Sequence, residues 1–365
     1  MHSHTPTPGS RWPALRGGLN ALLAALLFGA STPLLQQLGT GLGSFSTAAL
    51  LYAGAALVGG LLRQPLEREA ALRRGDIPRL LLMAFFGALL GPVALAWGLQ
   101  HTSGSAAALM LTLEAVFTAL LARALYREQL DRRVAAALLL LTLGGVALIW
   151  DRAQTQAANH LQSQLQGLLG LLAVLAATAA WGLDNTLSRA LANRDPGQVV
   201  LYKSALGANA SAVLAWCLSE PLPGLWPALG LLAVGATGYG LSLRCYLLAQ
   251  RAFGAARTAS VFAFAPFFGA GLAYALGERD GGLWLLLGGL LMILGLLLHL
   301  AESHAHEHSH EAVEHEHAHR HDDGHHDHDH QRSPMPQGLH SHRHRHSPIT
   351  HAHAHVPDEH HSHSH

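Results

Sequence analysis

From Gly17 to Ala301 the chain alternates long apolar runs with short polar connections. The runs are about 17–25 residues long, the length a helix needs to cross a hydrocarbon core of about 30 Å. Leu and Ala dominate them, so they are helix formers and not ten-residue barrel strands. The pattern predicts spans at 18–38, 46–62, 79–100, 104–122, 134–150, 167–188, 198–218, 227–249, 256–277 and 281–300. The expected fold is an all-α integral membrane protein of about ten transmembrane helices, followed by a disordered His-rich tail. Its expected divisions are a cytoplasmic N-terminal segment (1–17), a first five-helix repeat (18–150), a periplasmic loop (151–166), a second five-helix repeat (167–300) and a cytoplasmic tail (301–365). Up to Pro13 there is no apolar signal-peptide core, so the first run is expected to be retained.

Charge adds direction to this pattern. Only 13% of the residues are Asp, Glu, Lys or Arg, about half the share in a soluble domain. Of the 23 Lys and Arg residues only Lys203 is a lysine. Basic residues near span ends stay on the cytoplasmic side. With the N-terminus inside, the inner connections hold Arg11 and Arg16; Arg63, Arg68, Arg73, Arg74 and Arg79; Arg123, Arg127, Arg132 and Arg133; Arg189 and Arg194; and Arg251 and Arg257. The outer connections hold only Arg152 and Arg279. This bias puts both termini in the cytoplasm and agrees with an even number of spans, in a bacterial inner membrane. Cys217 and Cys245 both fall in apolar runs and make no CxxC-type motif.

The two halves also resemble each other. Gln100 matches Gln250, Gly104 matches Gly254 and Glu128 matches Glu278, each at a spacing of 150. Aromatic-Gly pairs, Phe28-Gly29 and Trp181-Gly182, fall near the start of each half. An odd number of spans per half inverts the second half relative to the first, the usual build of secondary transporters. The segments LLFGASTPLLQQL (26–38), LEAVFTALLARALYREQL (113–130) and FAPFFGAGLAYALGE (264–278) resemble the EamA-type branch of the drug/metabolite transporter superfamily. The resemblance covers about residues 18–300 and implies two five-helix repeats. The family's fourth span in each half has a proline kink followed by a glutamate. Pro266 and Glu278 fit that pattern, and so do Glu114 and Glu128, but Ala115 replaces the first-half proline. The family moves amino acids, sugars, nucleotide sugars, polyamines and drugs, so the resemblance implies transport and leaves the cargo open.

Charges at membrane depth cost roughly 2.5–3.5 kcal/mol on insertion scales and mark function by default. Glu114 falls near the middle of the fourth span, where it is expected to bind a cation or carry a proton. Asp184 and Arg244 each lie deep in spans running from outside to inside, so they share a depth. Lys203 lies near that level too, and either basic residue could pair with Asp184. Asn185, Asn209 and Asn20 are weaker candidates, because Asn commonly bonds between membrane helices. His101 is expected to be solvated at an outer turn. Gly87 and Gly91 are spaced for close helix packing.

At Ala301 the character of the chain changes. Residues 301–365 hold 23 of the 28 histidines and few large apolar residues, so they cannot bury a core. Two copies of one pattern are visible: HSHEAVEHEHAH (308–319) aligns with HRHSPITHAHAH (344–355). The candidate ligands are His304, His306, His308, His310, His315, His317, His319, His321, His325, His326, His328 and His330. In the second copy they are His340, His342, His344, His346, His351, His353, His355, His360, His361, His363 and His365. Imidazole suits zinc, nickel, cobalt and copper. Several sites of middling affinity in a flexible chain are expected.

Together these features predict a secondary exporter of a divalent transition metal, nickel or cobalt first and zinc next, with the tail gathering or sensing metal. Superfamily members with His-rich ends are associated with nickel and cobalt resistance, so the resemblance implies the same cargo. The alternatives are a metabolite or drug exporter whose tail only buffers metal, and a membrane metal sensor that transports nothing. No GxxxxGK[ST] loop occurs, and no HExxH or GxSxG falls within the spans, which argues against ATP use and against an enzyme of the membrane interior. The expected partners are the bilayer and a metal ion or small molecule, not nucleic acid; a homodimer stays open. No resident cofactor is required.

Overall fold

The structure, a computed structural model, describes residues 11–65, 69–126, 132–155, 161–191, 194–253, 258, 261–278 and 282–300. Of the tail it describes the backbone of 305–310, 314–319, 340–345 and 349–354. Helix α1 is Arg11–Leu38 and α2 is Ser44–Leu61. Helix α3 is Arg74–Leu99, α4 joins Gly104–Met110 to Glu114–Tyr126, and α5 is Arg132–Thr155. Helix α6 is Leu161–Ser188, and α7 is Pro196–Cys217. Helix α8 joins Leu225–Val234 to Ser242–Phe253, α9 is Ala265–Ala275 and α10 is Leu283–Leu300. Among the described residues six stretches are long and apolar enough to cross a membrane: those of α1, α2, α3, α4, α6 and α8.

The helices are packed inside out compared with a soluble bundle. Large apolar side chains such as Leu57, Leu61, Trp216, Leu286 and Leu290 are exposed, whereas Ala24, Ala48, Ala55, Thr47, Ser204 and Ser211 are buried. Lipid gives no hydrophobic reward for burying Leu, so small residues collect where backbones approach. Glycines mark these crossings. A Cβ on Gly235 of α8 would strike the Leu51 carbonyl of α2, and one on Gly29 of α1 would strike the Ala265 carbonyl of α9. Gly59 of α2 abuts the Leu201 backbone of α7, and Gly144 of α5 faces the Gly288 carbonyl of α10. The main packing thus runs between residues 11–155 and residues 161–300.

Two helices contain seven-residue π-turns, Ala84–Leu90 in α3 and Gly235–Leu241 in α8. Both stand at the same place in their rods, 151 positions apart from Ala84 to Gly235. The sequence reading had no signal for them. In α4 the turn Leu111–Leu113 tightens to 3-10 geometry just before Glu114. The chain therefore departs from α geometry there even with Ala115 in place of proline.

Two expectations change. The segment 151–166 was expected to be a loop, yet α5 runs on to Thr155 and α6 starts at Leu161. Its Gln, Ala and Leu residues are good helix formers, and a helix can continue into water where apolar runs end. The tail was expected to lack regular structure, yet it carries strands β1 (Ala305–His310), β2 (Glu314–His319), β3 (His340–Arg345) and β4 (Ile349–Ala354). The alternation His-x-His has the period of a strand, which composition alone does not reveal. β1 pairs antiparallel with β4, and β2 with β3.

Gly235→Val forces the α2 and α8 backbones apart and is expected to cost about 1–3 kcal/mol. Gly271→Val, at a position with open space around it, is expected to stay within about 0.5 kcal/mol. Thermal unfolding of the two purified variants in detergent makes the comparison.

Candidate functional site

The polar groups of the membrane interior converge where α2, α3, α4, α6, α7 and α8 meet. Lys203 of α7 donates to the Asp184 carboxylate of α6, and both side chains are all but buried. One residue further along α6, Asn185 donates to Glu114 at the start of the second part of α4. Four of the six expected residues are thus gathered in one cluster. Two are not. Arg244 turns away from Asp184 and donates to the Leu62 carbonyl at 2.9 Å. Asn209 is bonded within its own helix, to the Ala205 carbonyl at 2.7 Å.

A glycine makes room for the ion pair. A Cβ on Gly87 would collide with the Asp184 carboxylate, and one on Gly91 would collide with the Trp181 indole. The π-turn adds a second contribution. Within it Gly91 donates to Phe86, so the Gly87 carbonyl is left without its ordinary helical donor. Tyr52 Oη and Trp181 Nε1 both donate to that carbonyl, the latter at 2.9 Å. The glycine pair read as packing is therefore part of the site. Around it stand aromatic rings, with Phe28 5.6 Å from Trp181 and 5.8 Å from Tyr239, and Tyr52 5.4 Å from Tyr239. The aromatic-Gly pairs were the sequence signal for Phe28 and Trp181; nothing marked Tyr52 or Tyr239.

The second π-turn repeats the arrangement without charge. Gly238 packs against Ser31 of α1 as Gly87 packs against Asp184 of α6. Among the described residues Asp184 Oδ1 and Ser204 Oγ are buried without a hydrogen bond, so the cluster has acceptor capacity to spare.

The two ends of the bundle differ. At one end the connection after α2 is bonded to the other half of the chain. Arg251 of α8 bridges both Glu69 oxygens at 2.8 Å and the Arg194 carbonyl at 2.8 Å. Arg194 Nε reaches Asp76 Oδ2 at 2.9 Å. Asp195 accepts from Gln64 N at 3.2 Å and donates its own N–H to the Ala70 carbonyl at 2.8 Å. Burial pushes the Glu69 carboxyl above its ordinary range, while Arg251 beside it acts the other way. The opposite end contains a cavity of about 750 Å³ lined by Gln36, Thr40, Gln100, His101, Gln166 and Glu278. There Glu278 accepts from Ser105 N at 3.2 Å, and Glu220 from Ser46 N at 2.7 Å. His101, expected to be merely solvated, stacks on Trp97 at 4.2 Å and contacts its carbonyl at 2.8 Å. Among the residues whose side chains are described, no group of three or more His, Cys, Asp and Glu stands close enough to hold a metal ion. The candidate tail ligands have no described side chains; His304, His321, His325, His326, His328, His330, His346, His355, His360, His361, His363 and His365 lie outside the described residues altogether.

Comparison with known proteins agrees with this architecture. The model of the EamA-like transporter family matches residues 15–150 and again 168–301, well over half of the chain. An uncharacterized transporter of Methanothermobacter thermautotrophicus is 26% identical over 308 residues, covering 80% of this chain and 88% of its own. A crystal structure of a protein with 19% identity superposes with a TM-score of 0.54, covering 77% of this chain and 94% of that one. At that identity the likeness concerns the fold alone.

Removing one partner of the buried pair strands the other charge, which typically costs about 3–5 kcal/mol. Asp184→Asn and Lys203→Met are each expected to lower thermal stability in detergent strongly, and Asp184→Asn combined with Lys203→Met to recover most of the loss. A double variant no better than the worse single one contradicts the pairing.

Proposed function

The chain belongs to the EamA-like transporter family, and from that premise we propose that it is a secondary exporter whose route passes the Glu114 and Asp184–Lys203 cluster. The single observation that carries this reading is the gathering of buried ionic groups at the seam between residues 11–155 and 161–300, below an open cavity at one end. Charges so costly to bury are retained where a cargo or coupling ion meets them. We read the protein as ten spans in two inverted halves with both termini in the cytoplasm of a bacterial inner membrane. The arginine bias supports that orientation. It assigns the Arg251–Glu69 and Arg194–Asp76 pairs to the cytoplasmic end, so the described conformer is open outward and latched inward. Breaking those pairs is then the step that admits cargo from the cytoplasm. Glu114, bonded to Asn185 and not to a basic residue, is the group suited to carry a proton.

For the cargo we propose a divalent transition metal, nickel or cobalt first and zinc next, gathered or sensed by the His-rich tail. The support is the density of imidazoles on a chain that follows the last span. A second reading, export of a metabolite or drug, is favoured by the ring cluster of Phe28, Tyr52, Trp181 and Tyr239. Aromatic faces bind organic cations and apolar rings, not metal ions in need of donor atoms.

Cells lacking the native gene separate the two. Export of metal predicts that the wild-type chain raises nickel or cobalt tolerance and lowers cell metal content, and that Glu114→Gln abolishes both effects. Deleting 301–365 is expected to weaken them most at low metal. If neither change alters tolerance or content for nickel, cobalt or zinc, metal export fails and the organic cargo remains.

A further inference from the structure

The tail strands are paired in one particular register, and that register is chemically selective. In β2–β3 it sets His315 opposite His344, His317 opposite His342 and His319 opposite His340. The intervening positions set Glu314 opposite Arg345 and Glu316 opposite Arg343. Every histidine of the inner ladder thus meets a histidine, and every glutamate meets an arginine. In β1–β4 His306 is opposite His353 and His308 is opposite His351. Both ladders are symmetric in register about the same midpoint of the sequence. A slip of one residue would set glutamate and arginine opposite imidazole and lose both kinds of pairing in β2–β3.

The tail duplication accounts for this complementarity. β1 and β3 begin 35 residues apart, at Ala305 and His340, and so do β2 and β4, at Glu314 and Ile349, within one position of the 36-residue offset between 308–319 and 344–355. Each copy therefore supplies two strands, and each strand pairs with the unlike strand of the other copy. Positions two apart share a face of a strand, and opposed positions have Cβ atoms about 4.5–5.5 Å apart. Each ladder thus offers a block of two adjacent His–His pairs on one face: positions 306, 308, 351 and 353 in one, and in the other 317 and 342 together with either 315 and 344 or 319 and 340. An isolated two-stranded ladder is marginal in water, and β2 and β3 contain no apolar residue larger than Ala318. Something other than a core must hold them together.

We propose that the two tail copies close on each other around divalent transition-metal ions, one per four-histidine block, so that each chain holds two imidazole-ligated sites. Neutral imidazole is the donor that zinc, nickel and cobalt accept, and such sites fold only as they fill. This inference rests on the tail being the metal-binding part of the chain, and it does not require metal to be the cargo. It replaces many loose chelating pairs with two defined sites built from both copies.

Zinc titration of the full-length protein in detergent, against a competing chromophoric chelator and with bound zinc counted by elemental analysis, tests it. The wild-type chain is expected to retain two zinc ions per chain. His317→Ala with His342→Ala is expected to lose one, and His308→Ala with His351→Ala to lose the other. Replacing His325, His326, His328 and His330 by Ala removes more imidazoles and is expected to leave two. Zinc should also slow amide hydrogen exchange in 305–319 and 340–354 of the wild-type chain together. If capacity falls simply with the number of histidines removed, the ladder sites are wrong while tail binding stands. If the wild-type chain retains no zinc, the tail reading fails as well.

Discussion

A charge inside the hydrocarbon layer must be answered by another polar group, and the centre of this bundle is arranged around that requirement. The Lys203 ammonium and one oxygen of the Asp184 carboxylate answer each other. They meet only because Gly87 has no Cβ to fill the space beside Asp184. The π-turn that carries Gly87 releases its carbonyl, and Tyr52 and Trp181 take it up. Trp181 in turn needs Gly91 to lie flat against α3. Ion pair, glycines, irregular turn and aromatic rings are one interdependent unit, so removing any one of them disturbs the others.

The same elements recur in the other half, but without charge. Gly238 and its π-turn face Ser31 where Gly87 faces Asp184. A seam with matching irregular turns on both sides and charge on only one of them has a polar face and a neutral face. At one end Glu69 pairs with Arg251 and Asp76 with Arg194. At the other end a cavity of about 750 Å³ is lined by residues of α1, α2, α3, α6 and α9.

Much of this was legible in the residues, and the remainder was illegible for identifiable reasons. The helices follow from apolar runs, and Glu114, Asp184, Asn185 and Lys203 announced themselves because charged and amide groups are rare there. Depth along a helix could not choose between Lys203 and Arg244 as partner of Asp184. That choice depends on which faces α6, α7 and α8 present, and rotation about a helix axis leaves depth unchanged. Tyr239 looks ordinary until the π-turn that carries it is seen, and Tyr52 until the α3 π-turn frees the Gly87 carbonyl it bonds. Glycines 87 and 91 were noticed for their spacing, but a sequence does not show which side chain fills the gap. In the tail, composition argued for disorder while the period of two argued for strands, and only the register revealed how the copies complement each other.

The central claim is that the buried cluster couples cargo to protons through Glu114, and proteoliposomes test it most directly. Radioactive cobalt is measured in two modes, accumulation driven by a pH gradient and exchange at equal pH. The account predicts that Glu114→Gln keeps exchange while losing gradient-driven accumulation. Full gradient-driven accumulation by the Gln variant would contradict it.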